Sequence, residues 1–127
     1  MKGECILNLN YEALRAVMIE FQEAPLNPDV HNVVQSTINK YGFATDDILY
    51  AVKQAIDEGL LSGHTQQTVA KWPVMFVSDI TPDGHKFLDS IIPETAWNKV
   101  KSELITNGIP MTIPTITRTI AKLFLDK

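Results

Sequence analysis

The chain has 127 residues, 45% of them hydrophobic, and its 11 lysines and arginines stand against 15 aspartates and glutamates, for a net charge of −4. This length and composition suit one compact domain, residues 1–127, with an ordinary hydrophobic core. The negative charge excludes a global electrostatic attraction to nucleic acid or to an anionic membrane, so DNA binding would need a local basic patch.

The N-terminal residues and the single cysteine bear on the compartment. Met1-Lys2-Gly3-Glu4 carries an acid, and the apolar run Cys5-Ile6-Leu7 is too short for the core of a secretory signal. No segment approaches the roughly 20 apolar residues that span a bilayer. A single cysteine cannot form an intramolecular disulfide, which fits a reducing compartment, and no activating base adjoins Cys5. We therefore expect a cytoplasmic protein without membrane contact.

Two helices are predicted first, each with an apolar stripe at spacings of three and four residues. Asn10 is placed to cap a helix from Tyr11 to about Glu23, whose glutamates Glu12, Glu20 and Glu23 should face away from the stripe. The second helix is predicted over 29–40, with Gly42 in the left-handed position after it. The two stripes comprise Leu14, Val17, Met18 and Phe21, then Val30, Val33, Val34 and Ile38.

The segment "TDDILYAVKQAIDEGL" gives the clearest helical pattern in the chain. Thr45 is predicted to cap this third helix, and Asp46 and Asp47 fall in its first turn, where the helix dipole favours negative charge. Gly59 follows the last turn. Its predicted buried stripe comprises Ile48, Leu49, Val52, Ala55 and Ile56.

Two β-runs follow, over roughly 60–64 and 74–80, on either side of a long polar connection. The second run leads into "TPDGHKFL", where Thr81 is placed as an N-cap, Pro82 at the first helical position and Asp83 in the first turn. Gly84 should let the new helix lie close against a neighbour. His85 is then interpreted as a structural residue of the first turns rather than as a catalytic base.

Two more helices complete the chain. Pro93 should begin a helix that Gly108-Ile109-Pro110 ends, and a last amphipathic segment is predicted over 113–125. The apolar side of this last segment comprises Ile116, Ile120, Leu123 and Phe124. Because this apolar side must pack somewhere, we expect it to close over the winged helix or to form a homodimer.

Three helices followed by a β-hairpin have the order of a winged helix, in which the hairpin is the wing. The predicted fold class is α+β and mostly helical, with a winged-helix core over 10–80 and a C-terminal helical extension over 81–127.

Residues 57–101 resemble a family of small uncharacterised bacterial and prophage proteins with a winged-helix-like fold, on the stretches "DEGLLSG", "VSDITPDGHKFLDSI" and the start of "TAWNKVKSEL". The match rests on a GHxFLDxI block and a following helix, at Gly84, His85, Phe87, Leu88, Asp89, Ile91, Trp97, Lys99 and Lys101. The chain departs from the family at Ile92, where arginine is usual, and residues 1–56 match in helix order more than in identity. It is also loosely similar to YjcQ-like phage proteins. The resemblance implies a fold and a phage relation but no activity.

A winged helix predicts DNA binding through its third helix and wing. The candidate contacts, for double-stranded DNA or for a protein partner, are Tyr50, Lys53, Gln54, His64, Thr65, Gln66, Gln67 and Lys71. Between residues 29 and 80, however, three lysines stand against six acids, a thin supply of charge for neutralising phosphates. The alternative is a protein-interaction module, in which the acidic face of helix 45–58 meets a basic partner.

No pattern indicates catalysis or a bound metal. The three histidines lie far apart in sequence, and no serine sits in a glycine-flanked elbow. The chain also lacks a Gly-x-x-x-x-Gly-Lys phosphate loop. We therefore expect a non-enzymatic protein with no cofactor.

Overall fold

A computed structural model describes residues 10–125, and of these the burial of side chains up to Leu123. Six α-helices and one antiparallel hairpin follow each other in the order α1–α3, β1, β2, α4–α6, with a single π-helical turn after α6. Their bounds are α1 Tyr11–Glu23, α2 Val30–Tyr41, α3 Thr45–Asp57, β1 Leu61–Gln66, β2 Val74–Ile80, α4 Pro82–Ile91, α5 Glu94–Thr106, α6 Ile113–Ile120 and the π turn Ala121–Leu125. The predicted fold class, α+β and mostly helical with a β-hairpin, is confirmed. The expectations for Cys5, the N-terminal residues and the Phe124 side chain lie outside the described residues.

The first three helices pack on one another and bury the predicted stripes. Leu14, Val17 and Met18 of α1 are fully buried, as are Ile48 and Val52 of α3. Asn10 caps α1 by accepting a hydrogen bond from the backbone N–H of Ala13, as predicted. After α2, Gly42 adopts the left-handed conformation with a φ of 79°, also as predicted.

Two details of these helices differ from the prediction. Ala44, not Thr45, is the N-cap of α3, and no side chain caps the helix there, because Thr45 is already its first helical residue. Glu20 does not face away from the core: it is buried, accepting hydrogen bonds from Ser36 Oγ at 3.1 Å and Lys40 Nζ at 3.1 Å. These partners on α2 make its burial tolerable.

The hairpin is longer on its first strand than the sequence predicted. β1 begins one residue later, at Leu61, and continues two residues beyond His64, because Thr65 and Gln66 pair with Met75 and Val74. The strand β2 has the predicted bounds. A register shift between Ser62 and Gly63 leaves Ser78 as an extra residue on β2, a β-bulge that bends the strand before α4.

The start of α4 is built as the sequence predicted. The Thr81 hydroxyl accepts a hydrogen bond from the Gly84 backbone N–H at 2.9 Å, and Pro82 occupies the first turn. A side chain at Gly84 would place its Cβ 2.0 Å from the Leu60 carbonyl oxygen, so only glycine permits this approach of α4 to the end of α3.

The helices after the hairpin are fastened to α1. The Arg15 side chain donates to the carbonyl oxygens of Ile91, at 2.9 Å, and Ile92, at the C-terminal end of α4. Glu12 accepts hydrogen bonds from the buried indole N–H of Trp97, at 3.1 Å, and from Lys101, both on α5. α1 is therefore hydrogen-bonded to both α4 and α5.

The apolar side of the last helix packs within the chain. Ile113, Ile116 and Ile120 of α6 are all buried, and Leu123 of the π turn is half-buried against the same core. Among the described residues this helix packs mainly against α5 and α4 of the C-terminal extension, and closure over the winged helix stays a prediction. The homodimer stays a prediction.

Candidate interaction surface

The loop that joins the two strands, residues 67–73, folds back onto the first turns of α3. Trp72 Nε1 donates to Asp46 Oδ1 at 2.8 Å, and Lys71 Nζ donates to Asp46 Oδ2 at 2.6 Å. The Trp72 ring lies over Tyr50, with the ring centroids 6.2 Å apart. Hydrogen bonds from Lys71 and then Trp72 hold the pKa of Asp46 below its usual value, against a smaller opposing effect of burial. This end of α3 is therefore already in contact with the loop.

The lysines on this side of the molecule are paired with carboxylates of the same chain. Lys53 contacts Asp57 one turn along α3 at 2.8 Å, Lys71 contacts Asp46, and Lys40 of α2 contacts Glu20. Between residues 45 and 73 only two lysines stand against four acids. The surface of α3 and the loop is thus net negative, and its positive groups already have partners.

The predicted contact residues separate into three groups. Tyr50, Lys53 and Gln54 are half-buried on α3, whereas Gln67 and Lys71 belong to the loop and are exposed. The remaining three lie on β1. His64 and Gln66 are exposed on the outer face of the hairpin, and Thr65 is half-buried on the other face. Tyr50 of the first group and Lys71 of the second are brought together by Trp72 and Asp46, two residues that the prediction did not include.

A groove runs between the first half of α2 and the outer edge of β2. We call it the hairpin groove; its volume is about 760 Å³, and it is open to solvent and lined mainly by apolar atoms. Its lining comprises residues 27–31, Val34, Gln35, Thr45, Leu49, Gly63, His64 and residues 72–78. Of the predicted contact residues, His64 alone belongs to it.

Two exposed apolar side chains form the outer wall of the hairpin groove. Val74 is 46% exposed and Phe76 is 45% exposed, and the Phe76 ring stacks on His64 with 4.8 Å between the centroids. Their neighbours Met75 and Val77 point inward and are buried. The sequence indicated this wall, because all four residues of "VMFV" are apolar. A strand that packs on a core with one face only usually alternates apolar and polar residues.

Between residues 10 and 125, no strand pairs with the outer edge of β2. β1 bonds to β2 on one side only, and the sheet has two strands. Among residues 10–125, one backbone hydrogen bond reaches the other edge, from the Asn27 N–H to the Ser78 carbonyl oxygen at 3.0 Å. An edge strand presents unpaired N–H and C=O groups along its length. Residues 74–78 of this strand line the hairpin groove.

No side chain in the described part of the molecule is arranged for metal binding. Between residues 10 and 125, no three His, Cys, Asp or Glu side chains are grouped so that they could hold an ion. His85 is exposed, and its backbone N–H bonds to the Thr81 carbonyl oxygen at 2.9 Å, as expected in a helical first turn. Within the same residues, no helix is long and apolar enough to cross a membrane.

Comparison with known proteins gives one match. A family model described as "Hypothetical protein (DUF2513)" matches residues 8–110, which cover α1 to α5 and the hairpin. Neither a curated protein nor a solved structure matches the chain.

Proposed function

Because the chain belongs to the family described as hypothetical protein DUF2513, a description that names no activity, we propose a function from its surface: a small non-enzymatic module that binds a protein partner. The three helices and hairpin support the interpretation of residues 10–80 as a winged helix. A cytoplasmic location and a phage or prophage relation are part of the same proposal. In it, the acidic side of α3, the loop and the hairpin form the binding surface.

One observation carries the choice of protein over DNA: Lys53 and Lys71 are both paired with carboxylates of α3. A DNA-binding protein gains most of its affinity by neutralising phosphates with free ammonium and guanidinium groups. Here an approaching phosphate would have to displace Asp57 or Asp46 from its lysine. It would then face four carboxylates between residues 45 and 73.

The position of the loop supports the same choice. In helix-turn-helix proteins, the N-terminal residues of the recognition helix contact base edges in the major groove. At the corresponding end of α3, Asp46 and Tyr50 are in contact with Trp72. The loop therefore covers the first turns of α3, at Asp46 and Tyr50.

The test compares DNA and protein binding on one preparation. Titration of a fluorescein-labelled random 24-base-pair duplex with the chain at low salt should show no binding at tens of micromolar. A photo-crosslinking residue in place of Gln54, on the same face of α3, should form one discrete protein adduct in cells. The same residue in place of Ile105, which is 71% exposed on α5, serves as the control. Micromolar duplex affinity, or equal adducts from both positions, would overturn the proposal.

A further inference from the structure

We propose that the hairpin groove binds an extended segment of the partner protein as a third strand, paired with the outer edge of β2. The occupant is a segment in which apolar residues alternate with lysine or arginine. This inference rests on the proposed function and deepens it, because it names the position, conformation and chemistry of the segment.

The backbone of β2 provides the first argument. Its outer edge has one backbone partner among the described residues, Asn27, which bonds to Ser78 at the end of the groove. This bond shows that the space beside β2 already admits a neighbouring chain at strand distance. Along 74–77 the same space is the groove itself, with the first half of α2 on its far side. Addition of a strand to an exposed edge is a common mode of peptide recognition, in which main-chain hydrogen bonds provide affinity.

The walls of the groove provide the second argument, because side chains of a strand alternate between two faces. The inner wall of the groove includes Val34 and Leu49, next to the buried Met75. On the outer side, Val74 and Phe76 present apolar surface toward solvent. An added strand would therefore bury one set of apolar side chains against the inner wall and direct the alternate set outward.

Charge provides the third argument and selects the partner. The groove lining contains one carboxylate, Asp29, and no lysine or arginine. The surface of α3 beside it is net negative. Lysine or arginine side chains that point outward from the bound segment would be attracted to this negative charge. A second copy of this acidic chain would be repelled by it.

The test uses a defined probe, a fluorescein-labelled peptide Val-Lys-Val-Lys-Val-Lys-Val, titrated with the full chain and followed by anisotropy. Two control peptides test the charge argument and the backbone argument separately. The first replaces each lysine by glutamate. The second carries N-methyl groups on alternate residues, which removes the main-chain hydrogen-bond donors from one edge of the peptide. We expect binding of the lysine peptide at tens to hundreds of micromolar and at least tenfold weaker binding of both controls.

Variants of the chain locate the site. Phe76→Lys places a positive charge on the groove wall and should weaken binding of the lysine peptide at least tenfold. Ile105→Lys, the same kind of change at a more exposed apolar residue on α5, should not weaken it. Asp29→Asn keeps an N-cap for α2, because asparagine caps as well as aspartate, but removes the carboxylate of the groove. It should weaken the peptide about threefold and reduce the salt dependence of binding. Thermal unfolding followed by circular dichroism confirms that each variant is folded.

Three results would overturn the inference: equal affinity for the lysine and N-methyl peptides, no effect of Phe76→Lys, or no binding of the lysine peptide at 1 mM. A dimer in sedimentation velocity that Phe76→Lys dissociates would also overturn it, since a second copy would then occupy the edge. The peptide could fail to bind while the crosslinker at position 54 still captures a protein and DNA does not bind. That result would overturn this inference but leave the proposed function standing. Binding of duplex DNA would overturn the proposed function as well.

Discussion

The indole nitrogen of Trp72 lies 2.8 Å from Asp46 Oδ1, a contact between residues 26 positions apart that fastens the hairpin loop to the first turn of α3. The other oxygen of the same carboxylate accepts from Lys71. One side chain of α3 therefore sets the position of the loop that covers its own helix end.

Replacement of Asp46 by alanine should release the loop. The Trp72 indole N–H signal should move toward the position of a solvent-exposed indole, and the amides of residues 67–73 should show increased fast motion in ¹⁵N relaxation. Asp46→Asn is the matched control, because its side-chain oxygen can still accept from Trp72 while its charge is lost. An unchanged indole signal in Asp46→Ala would mean that the loop holds its position without this contact.

Acid should break the ion pair between Asp46 and Lys71, although a protonated carboxyl group can still accept a hydrogen bond from Trp72. The pKa of Asp46 is lowered in the folded protein, principally by the hydrogen bond from Lys71. The contact between the two charged groups is therefore fully present above pH 3.8, the ordinary pKa of the carboxyl group. It should be lost as the pH falls below 3.8 through the lower folded value. The Trp72 indole signal, followed from pH 6 downward, should therefore begin to move only below pH 4. Movement centred near pH 5 would contradict this account.

Glu12 should be needed for the junction between α1 and α5. Trp97 is 1% exposed, so Glu12→Ala leaves its buried indole N–H without an acceptor, which should lower the free energy of unfolding by about 1–3 kcal/mol. Glu12→Gln, which keeps an acceptor for Trp97 but loses the ion pair with Lys101, should cost less. The measurement is urea denaturation at pH 7, and equal midpoints for both variants and the wild type would contradict the prediction.

The cost of Glu12→Gln should depend on pH. Burial alone raises the pKa of Glu12, but hydrogen bonds from Lys101 and Trp97 and the charges of Lys101 and Arg15 outweigh it, so the net pKa is below 4.5. A carboxyl group whose pKa is lowered by folding stabilises the folded protein above pH 4.5, its ordinary pKa. This contribution is lost as the pH falls through the pKa of the folded state. The difference between wild type and Glu12→Gln should therefore be constant from pH 7 to 5 and shrink below pH 4.5. A difference that grows on acidification would be contrary to this sign.

Gly84→Ala should be among the most destabilising single changes in this chain. The new Cβ would lie 2.0 Å from the Leu60 carbonyl oxygen, which is itself held by the Thr81 backbone N–H and hydroxyl, both at 3.1 Å. Because the obstacle is fixed backbone, α4 must move, and we expect a loss of about 3 kcal/mol or more, or failure to fold. Lys86→Ala on the exposed side of the same helix should change stability by less than about 0.5 kcal/mol. A loss below about 1 kcal/mol for Gly84→Ala would show that α4 can shift away.

Local signals in the sequence predicted most of the fold. Asn10, Gly42 and Thr81 each act through neighbours within a few residues or through a backbone conformation that their type favours, so the sequence predicted their roles. Gly84 was predicted from its lack of a side chain, although the backbone that it approaches, at Leu60, is distant in sequence. Thr45 was misassigned as the N-cap because threonine favours that position. In the structure Ala44 occupies it, and Thr45 is the first helical residue. The burial of Glu20 depends on Ser36 and Lys40, which belong to another helix, and no local pattern specifies that pairing.

The binding surface was less predictable for the same reason. The acidic excess around α3 could be counted from the sequence, but the pairing of Lys71 and Trp72 with Asp46 depends on how a loop folds across a helix. The hairpin groove requires α2 and β2 to lie side by side, a relationship between segments more than 30 residues apart. Only the apolar "VMFV" run indicated that β2 has a second apolar face.

Amide chemical-shift mapping on the ¹⁵N-labelled chain tests the central claim, that this surface binds a protein segment rather than DNA. The alternating valine–lysine peptide should shift the amides of residues 27–35 and 73–78, whereas a duplex at the same concentration should leave the spectrum unchanged. Shifts caused by the duplex along α3 and residues 64–71, with none from the peptide at the groove, would contradict the account.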